Sequence, residues 1–253
     1  MKYLRFSDNH NVIRYGVVKD SLIFAINGDI FGEFMVTDKS YLIESVRLLA
    51  PVIPSKVLCI GLNYIDHAKE FGKPLPEEPL LFIKPPSSVI GPEENIIYPP
   101  QTANLHYEAE LAIVIGKEAK NVERRQAAEY IFGYTVANDI TARDLQHKDG
   151  QWTRAKGFDT FCPLGPWIET DIDDPGNLTV KLTLNGLTRQ DSNTNNLVFD
   201  CFQLVEYLSG IMTLLPGDVI LTGTPAGVGP MEAGDVVKAE IENIGALTNY
   251  VIK

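Results

Sequence analysis

Apolar and polar positions along this chain mostly alternate in short runs, the period of half-buried strands, and recur at helical spacing in only a few places. Residues 2–6 and 12–18 are two such runs on either side of Asp8-Asn9-His10-Asn11, a tetrapeptide of turn formers, and 22–26 is a third. A short helix is expected over 41–49, stopped by Pro51 and Pro54. Residues 1–52 therefore read as a small β-rich N-terminal domain and 53–253 as a larger second domain. In the larger piece the pattern predicts strands at 56–60, 80–83, 134–141, 178–184, 219–222, 236–241 and 247–252. Helices are expected at 65–71, at 122–131 between Asn121 and Gly133, and at 197–208 after the capping run Asn193-Thr194-Asn195-Asn196. Asn185-Gly186 is a strong hairpin signal, and the proline-rich, acidic stretch 73–79 reads as a mobile connection. The fold class is β-dominated mixed α+β.

One run departs from simple alternation. From Glu110 onward, Leu111-Ala112-Ile113-Val114-Ile115 is apolar at every position, as in a strand covered on both faces. Just ahead of it stand Glu108 and Glu110, which share one face of an extended strand about 7 Å apart, two residues at roughly 3.4 Å each. Two carboxylates at the mouth of a buried strand repel each other and resist desolvation, so they call for a cation or for solvent. Asp139, inside the apolar run 134–141, has the same need, or else caps the segment that follows. Three carboxylates on two strands together point to a hard divalent metal with oxygen ligands. His67 and Glu70 stand three apart on the expected 65–71 helix, where a carboxylate can orient an imidazole as a general base or both can simply face water. Lys84 ends a strand and faces either a pocket or solvent, and Arg143 and Gln146 are three apart on a helical turn.

Composition narrows the classes. At 253 residues, with 45% hydrophobic and 22% charged residues, the chain is an ordinary globular protein able to bury a full core. A net charge of -11 argues against nucleic-acid and anionic-membrane partners. No apolar run approaches the roughly 20 residues of a bilayer span, and no signal core follows Lys2 and Arg5. Cys59, Cys162 and Cys201 share no CxxC spacing and read as reduced, buried thiols of a cytoplasmic protein. The glycine-rich stretch 223–230 lacks the Gly-Lys-Ser/Thr of a nucleotide loop, although its amides can hold an anion.

Taken together, Gly61-Leu62-Asn63-Tyr64 with His67 and Glu70, Glu108-Ala109-Glu110, Asn138-Asp139 with Ala142-Arg143-Asp144, Trp152-Thr153-Arg154-Ala155-Lys156, and Leu-Thr-Gly-Thr-Pro-Ala-Gly-Val-Gly-Pro from Leu221 resemble the fumarylacetoacetate hydrolase family. The resemblance covers about residues 55–253, and the N-terminal piece also looks like that of many bacterial and archaeal members. It implies a large twisted, mostly β catalytic domain, usually in a homodimer. It further implies one Mg or Mn ion per subunit on Glu108, Glu110 and Asp139, and a lid helix carrying the catalytic pair His67 and Glu70 beside Lys156. Arg143, Gln146, Thr224 and, more weakly, Lys84 would line the pocket for a 2-oxo acid substrate. The first expectation is hydrolysis of a C–C bond in an acylpyruvate of the fumarylpyruvate kind. Isomerisation of a 2-hydroxyhepta-2,4-diene-1,7-dioate and decarboxylation of oxaloacetate use the same enolate chemistry and stay open. A non-catalytic, metal-stabilised binding protein is the rival of another class. Three carboxylates fall short of the closed oxygen shell it needs.

Overall fold

The computed structural model describes residues 1–70, 72 and 74–253. The expected helix end at Phe71 and the start of the proline-rich connection at Lys73 lie outside the described residues. A large sheet runs from edge to edge through Phe34–Leu42, Leu22–Gly28, Ile13–Lys19, Lys2–Ser7, Cys162–Glu169, Ile131–Asn138, Ala109–Ile115, Val219–Leu221, Val57–Gly61 and Leu80–Lys84. A five-stranded sheet follows the order Leu187–Asn193, Thr179–Leu184, Val236–Ile241, Gly245–Ile252, Asn95–Ile97. A small third sheet joins Thr141–Ala142, Leu105–Tyr107 and Gly229–Met231. Four α-helices are described: α1 (Ile65–Glu70), α2 (Arg143–Asp149), α3 (Thr153–Lys156) and α4 (Cys201–Ile211).

Why Ala109–Ile115 is apolar at every position beyond Glu110 is visible in the packing, since every residue of it is buried. Leu111, Ile113 and Ile115 enter one core with Val180, Leu182, Val237 and Ala239 of the five-stranded sheet and Leu204, Val205 and Leu208 of α4. Ala112 and Val114, on the opposite face, pack with Tyr3, Val17 and Ile26 of the N-terminal strands, with Ile30 of the turn after them, and with Leu164 and Ile168. Burial on both faces removes the selection for alternation that a half-exposed strand shows.

Several expected elements differ. Residues 41–49 are not helical: the strand Phe34–Leu42 is followed by a 3-10 turn Ile43–Ser45 and the strand Arg47–Leu49. Tyr41 pairs with Ile23 across the sheet and its ring packs edge-on against Phe6, so strand pairing of a β-prone segment wins over helix propensity. The 122–131 helix is a 3-10 helix, Arg124–Tyr130, with Ala127 its one buried residue, too narrow an apolar face to hold an α-helix. The 197–208 helix begins later, at Cys201, because Asp200 and Gln203 form a reciprocal capping box there. Asn193–Asn196 instead leads into a 3-10 turn. The hairpin at Asn185-Gly186 forms with both residues at positive φ, as its primed turn requires.

The two acid-bearing strands are each broken at the acid. Leu105–Tyr107 belongs to the small sheet and Ala109–Ile115 to the large one, with Glu108 at the break. Ile131–Asn138 and Thr141–Ala142 are divided in the same way at Asp139 and Ile140. The breaks face each other: the Asp139 amide donates to the Glu108 carbonyl at 2.8 Å, and the Glu108 amide to Asn138 Oδ1 at 2.9 Å.

Candidate active site

A cavity of about 250 Å³ opens at these paired breaks. Its wall includes Glu108, Glu110, Asp139, Lys156, Arg143, Gln146, Thr224 and His67, so eight of the ten residues expected at the site converge on one space. Apolar wall comes from Ile60, Leu62, Phe82 and Trp152, the last two rings stacked edge to face at 5.1 Å. Glu70 reaches the cavity through His67, and Lys84 does not reach it.

Glu108, Glu110 and Asp139 are all buried, and each offers an oxygen within 4.8 Å of the others. Basic side chains serve two of them. Lys156 Nζ donates to Glu108 Oε2 at 2.9 Å and to Asp139 Oδ2 at 2.5 Å, while Arg143 binds the other oxygen of Glu108. Lys84 takes Asp139 Oδ1 at 2.5 Å and the Ile140 carbonyl at 3.1 Å. Instead of facing substrate it is fully buried behind Asp139, with its Nζ 5.9 Å from the centre of the Phe161 ring. Burial would raise the Glu108 carboxyl, but Lys156 and Arg143 beside it outweigh burial and hold it well below the usual range. Burial works against the Lys156 ammonium, but Asp139 and Glu108 outweigh it and hold the group above the usual lysine range.

Glu110 has no such help. Its one described hydrogen bond comes from the Gly223 amide at 2.6 Å, and no basic side chain among the described residues pairs with it. Burial, then the neighbouring Asp139 and Glu108 charges, push its carboxyl well above the usual range. A buried carboxylate short of one positive partner, beside two more oxygen donors, is the donor set a hard divalent cation fits. Gly223 makes the approach: it sits at φ +104, and a Cβ there would meet Asn63 Cβ at 2.8 Å. Asn63, fully buried, fixes that loop from the other side by donating to the Thr222 carbonyl at 2.7 Å.

On α1, His67 Nδ1 and Glu70 Oε2 lie 3.1 Å apart, and Glu70 Oε1 accepts from the Gly227 amide at 3.1 Å. The carboxylate thus selects the tautomer with the proton on Nδ1 and the basic lone pair on Nε2. Arg143 donates to Gln146 Oε1 at 2.5 Å as well as to Glu108, so the two expected substrate contacts are joined. Thr224 lines the cavity, but its hydroxyl proton goes to the Ala109 carbonyl at 2.9 Å and it accepts from Gln190 at 2.8 Å. Gln190 escapes sequence reading because it is one polar residue in a polar strand, with no spacing to mark it.

Residues 56–252 match the family described as fumarylacetoacetate (FAA) hydrolase C-terminal, and residues 1–51 match the one described as Rv2993c-like, N-terminal. The chain is 47% identical over 221 residues to the mitochondrial oxaloacetate tautomerase fahd2 of Xenopus laevis, covering 83% of this chain and 69% of that protein. A crystal structure of 2-hydroxyhepta-2,4-diene-1,7-dioate isomerase from Mycobacterium marinum superposes with a TM-score of 0.92 at 44% identity, covering 100% of this chain and 98% of that one. Maleylpyruvate hydrolase from Sphingobium sp. SYK-6, in complex with manganese (II) ion and pyruvate, gives 0.83 at 30% identity, covering 100% and 99%. The chain therefore belongs to the fumarylacetoacetate hydrolase family.

Proposed function

We propose that this protein is a divalent-cation-dependent enzyme that moves a proton at the carbon beside the keto group of a small 2-oxo dicarboxylic acid, as a tautomerase or isomerase. The observation that carries this reading is the convergence in one cavity of the under-partnered Glu110, the Lys156 ammonium and the His67–Glu70 pair. Glu108, Glu110 and Asp139 would hold Mg or Mn, which when bound supplies a Lewis acid that makes the proton beside a keto group more acidic. Lys156 holds a fixed positive charge where negative charge develops on the keto oxygen. His67, oriented by Glu70, takes the proton and returns it. Arg143 and Gln146 meet the carboxylate end, and Phe82 and Trp152 exclude water. At about 250 Å³ the cavity falls below the range of roughly 300 Å³ upward typical for drug-sized ligands, in keeping with a small acid. The tautomerase and isomerase named among the relatives support the same chemistry.

C–C hydrolysis of an acylpyruvate is the second reading, favoured by the same imidazole–carboxylate pair, which suits activation of water. One assay series separates them. Oxaloacetate, a diene-dioate and an acylpyruvate are each supplied with Mn or Mg, and enol absorbance, pyruvate release and carbon dioxide release are followed in parallel. Proton transfer without bond cleavage is the expected result. Pyruvate release from the acylpyruvate as the dominant activity would transfer the assignment to hydrolysis. His67→Ala should lower the proton-transfer rate by about 100-fold or more.

A further inference from the structure

We infer that the edge strand Leu187–Asn193 is the positioning element of this site, with Gln190 setting the carboxylate-bearing strand and Ser192 setting the lid helix α1. The inference rests on reading Glu108, Glu110 and Asp139 as the cation site. Gln190 is fully buried and spends its whole amide there. Its Oε1 accepts from the amide of Ala109, the residue between the two glutamates, at 2.9 Å. Its Nε2 donates to Thr224 Oγ1 at 2.8 Å and to the Pro225 carbonyl at 2.9 Å. Thr224 Oγ1 in turn donates to the Ala109 carbonyl at 2.9 Å. Both backbone groups of Ala109 are thus clasped from one side, just where the ladder between Ala109–Ile115 and Val219–Leu221 has run out.

Two residues on, and so on the same face of the strand, Ser192 donates to Asp66 Oδ2 at 2.7 Å. Asp66 Oδ1 accepts the His67 amide at 2.7 Å, which ties the strand to the first turn of α1. A third tie passes through the loop. The pairing with Thr179–Leu184 shifts register between Leu182, opposite Gln190, and Thr183, opposite Thr188, so Arg189 is the extra residue of a bulge. Its carbonyl presses against Gly227, where a Cβ would come within 2.2 Å, and the Gly227 amide holds Glu70. The hairpin strand therefore touches the cation strand, the 224–227 loop and the first turn of the His67–Glu70 helix, and reaches Glu70 through Gly227.

The test uses amide exchange, which needs no turnover, alongside calorimetry with Mn. Gln190→Met keeps length and apolar bulk but removes every hydrogen bond. It is expected to weaken Mn affinity by about 10-fold or more, as loss of groups behind metal ligands does, and to speed exchange over residues 65–70 in the metal-free protein. Ser192→Ala is expected to speed exchange over 65–70 with Mn affinity within about twofold of the parent, and Ser192→Thr to restore protection. A folded Gln190→Met with parental Mn affinity and parental exchange in α1 would overturn the inference. If that variant does not fold, the serine pair decides, and unchanged exchange in Ser192→Ala overturns it. A parent protein that takes up no Mn would remove the cation reading, while the exchange measurements would still decide the strand's role.

Discussion

Glu110 and Asp139 line the same cavity, yet an amide at each should have opposite consequences. Burial and its acidic neighbours push the Glu110 carboxyl upward in the metal-free protein, so Glu110→Gln removes a charge that the site disfavours and keeps an acceptor for the Gly223 amide. Stability in urea should change by less than about 1 kcal/mol, while Mn affinity falls by about 10-fold or more because an amide oxygen replaces a carboxylate. Asp139→Asn leaves the buried Lys84 and Lys156 ammoniums facing a neutral group and should cost about 3 kcal/mol. Equal losses in the two variants would contradict the asymmetry. The thiols give a prediction with a pH sign. Burial pushes Cys162 and Cys201 up to about 12 and raises Cys59 as well. Unfolded thiols ionise near pH 8.5, so their contribution to stability is complete below that pH and is lost as pH rises towards 12. A disulfide reagent at pH 8 should therefore label no cysteine in the native protein and all three in urea. Among the site residues, the acids were legible because a carboxylate in an apolar run is costly, and His67–Glu70 because helical spacing is local. Lys84 was not, since a strand end does not reveal whether the side chain turns to the pocket or behind a ligand. Gln190 acts across 81 residues of sequence, on the Ala109 amide, and nothing local records such a contact.

At the scale of elements, strands were easier to place than helices, and the reason is physical. Val236–Ile241 keeps strict exposed–buried alternation and its bounds follow from the pattern. Helix starts depend on which polar residue wins the cap. The asparagine-rich run at 193–196 carries more cap formers than Asp200, but only Asp200 has a glutamine three residues on to complete the box. Asp200→Ala should lower stability by about 1 kcal/mol, measured in urea, through loss of the Phe202 and Gln203 amide bonds and of the Arg124 ion pair. Asn193→Ala, at the 3-10 turn, should cost less, and the reverse order would place the true start of α4 upstream. The breaks at Glu108 and Asp139 were invisible for a related reason. The hydrophobic period runs through both, and the small sheet that breaks them forms by pairing Leu105–Tyr107 with Thr141–Ala142 and with Gly229–Met231, the latter over a hundred residues away.

For the whole molecule, the question is whether residues 1–52 and 53–253, distinct in sequence, behave as one cooperative unit, and we propose that they do. Lys2–Ser7 pairs with Cys162–Glu169 through Lys2 opposite Glu169 and Tyr3 opposite Ile168, so the N-terminal strands extend the large sheet. Tyr3, Val17, Ile26 and Ile30 share a core with Ala112, Val114, Leu164 and Ile168. Each large apolar side chain in it contributes about 1.5–3 kcal/mol by burial, so a few of them together match the roughly 5–15 kcal/mol that a whole domain keeps in reserve. The two tryptophans report on the two regions separately. Trp152 lies against Phe82 at the cavity, and Trp167 sits on the strand that receives the N-terminal hairpin, 4.6 Å from Lys2 Nζ. Trp167→Phe and Trp152→Phe each leave one emitter. Unfolding followed at either should give the same midpoint and slope, and the same curve as circular dichroism. Mn at about 100 times its dissociation constant should raise both midpoints together, by about 2.7 kcal/mol of linkage, although only Trp152 lines the cavity with Glu108, Glu110 and Asp139. If Trp167 reported an earlier transition that Mn did not move, the N-terminal strands would be a separate folding unit docked on the catalytic one.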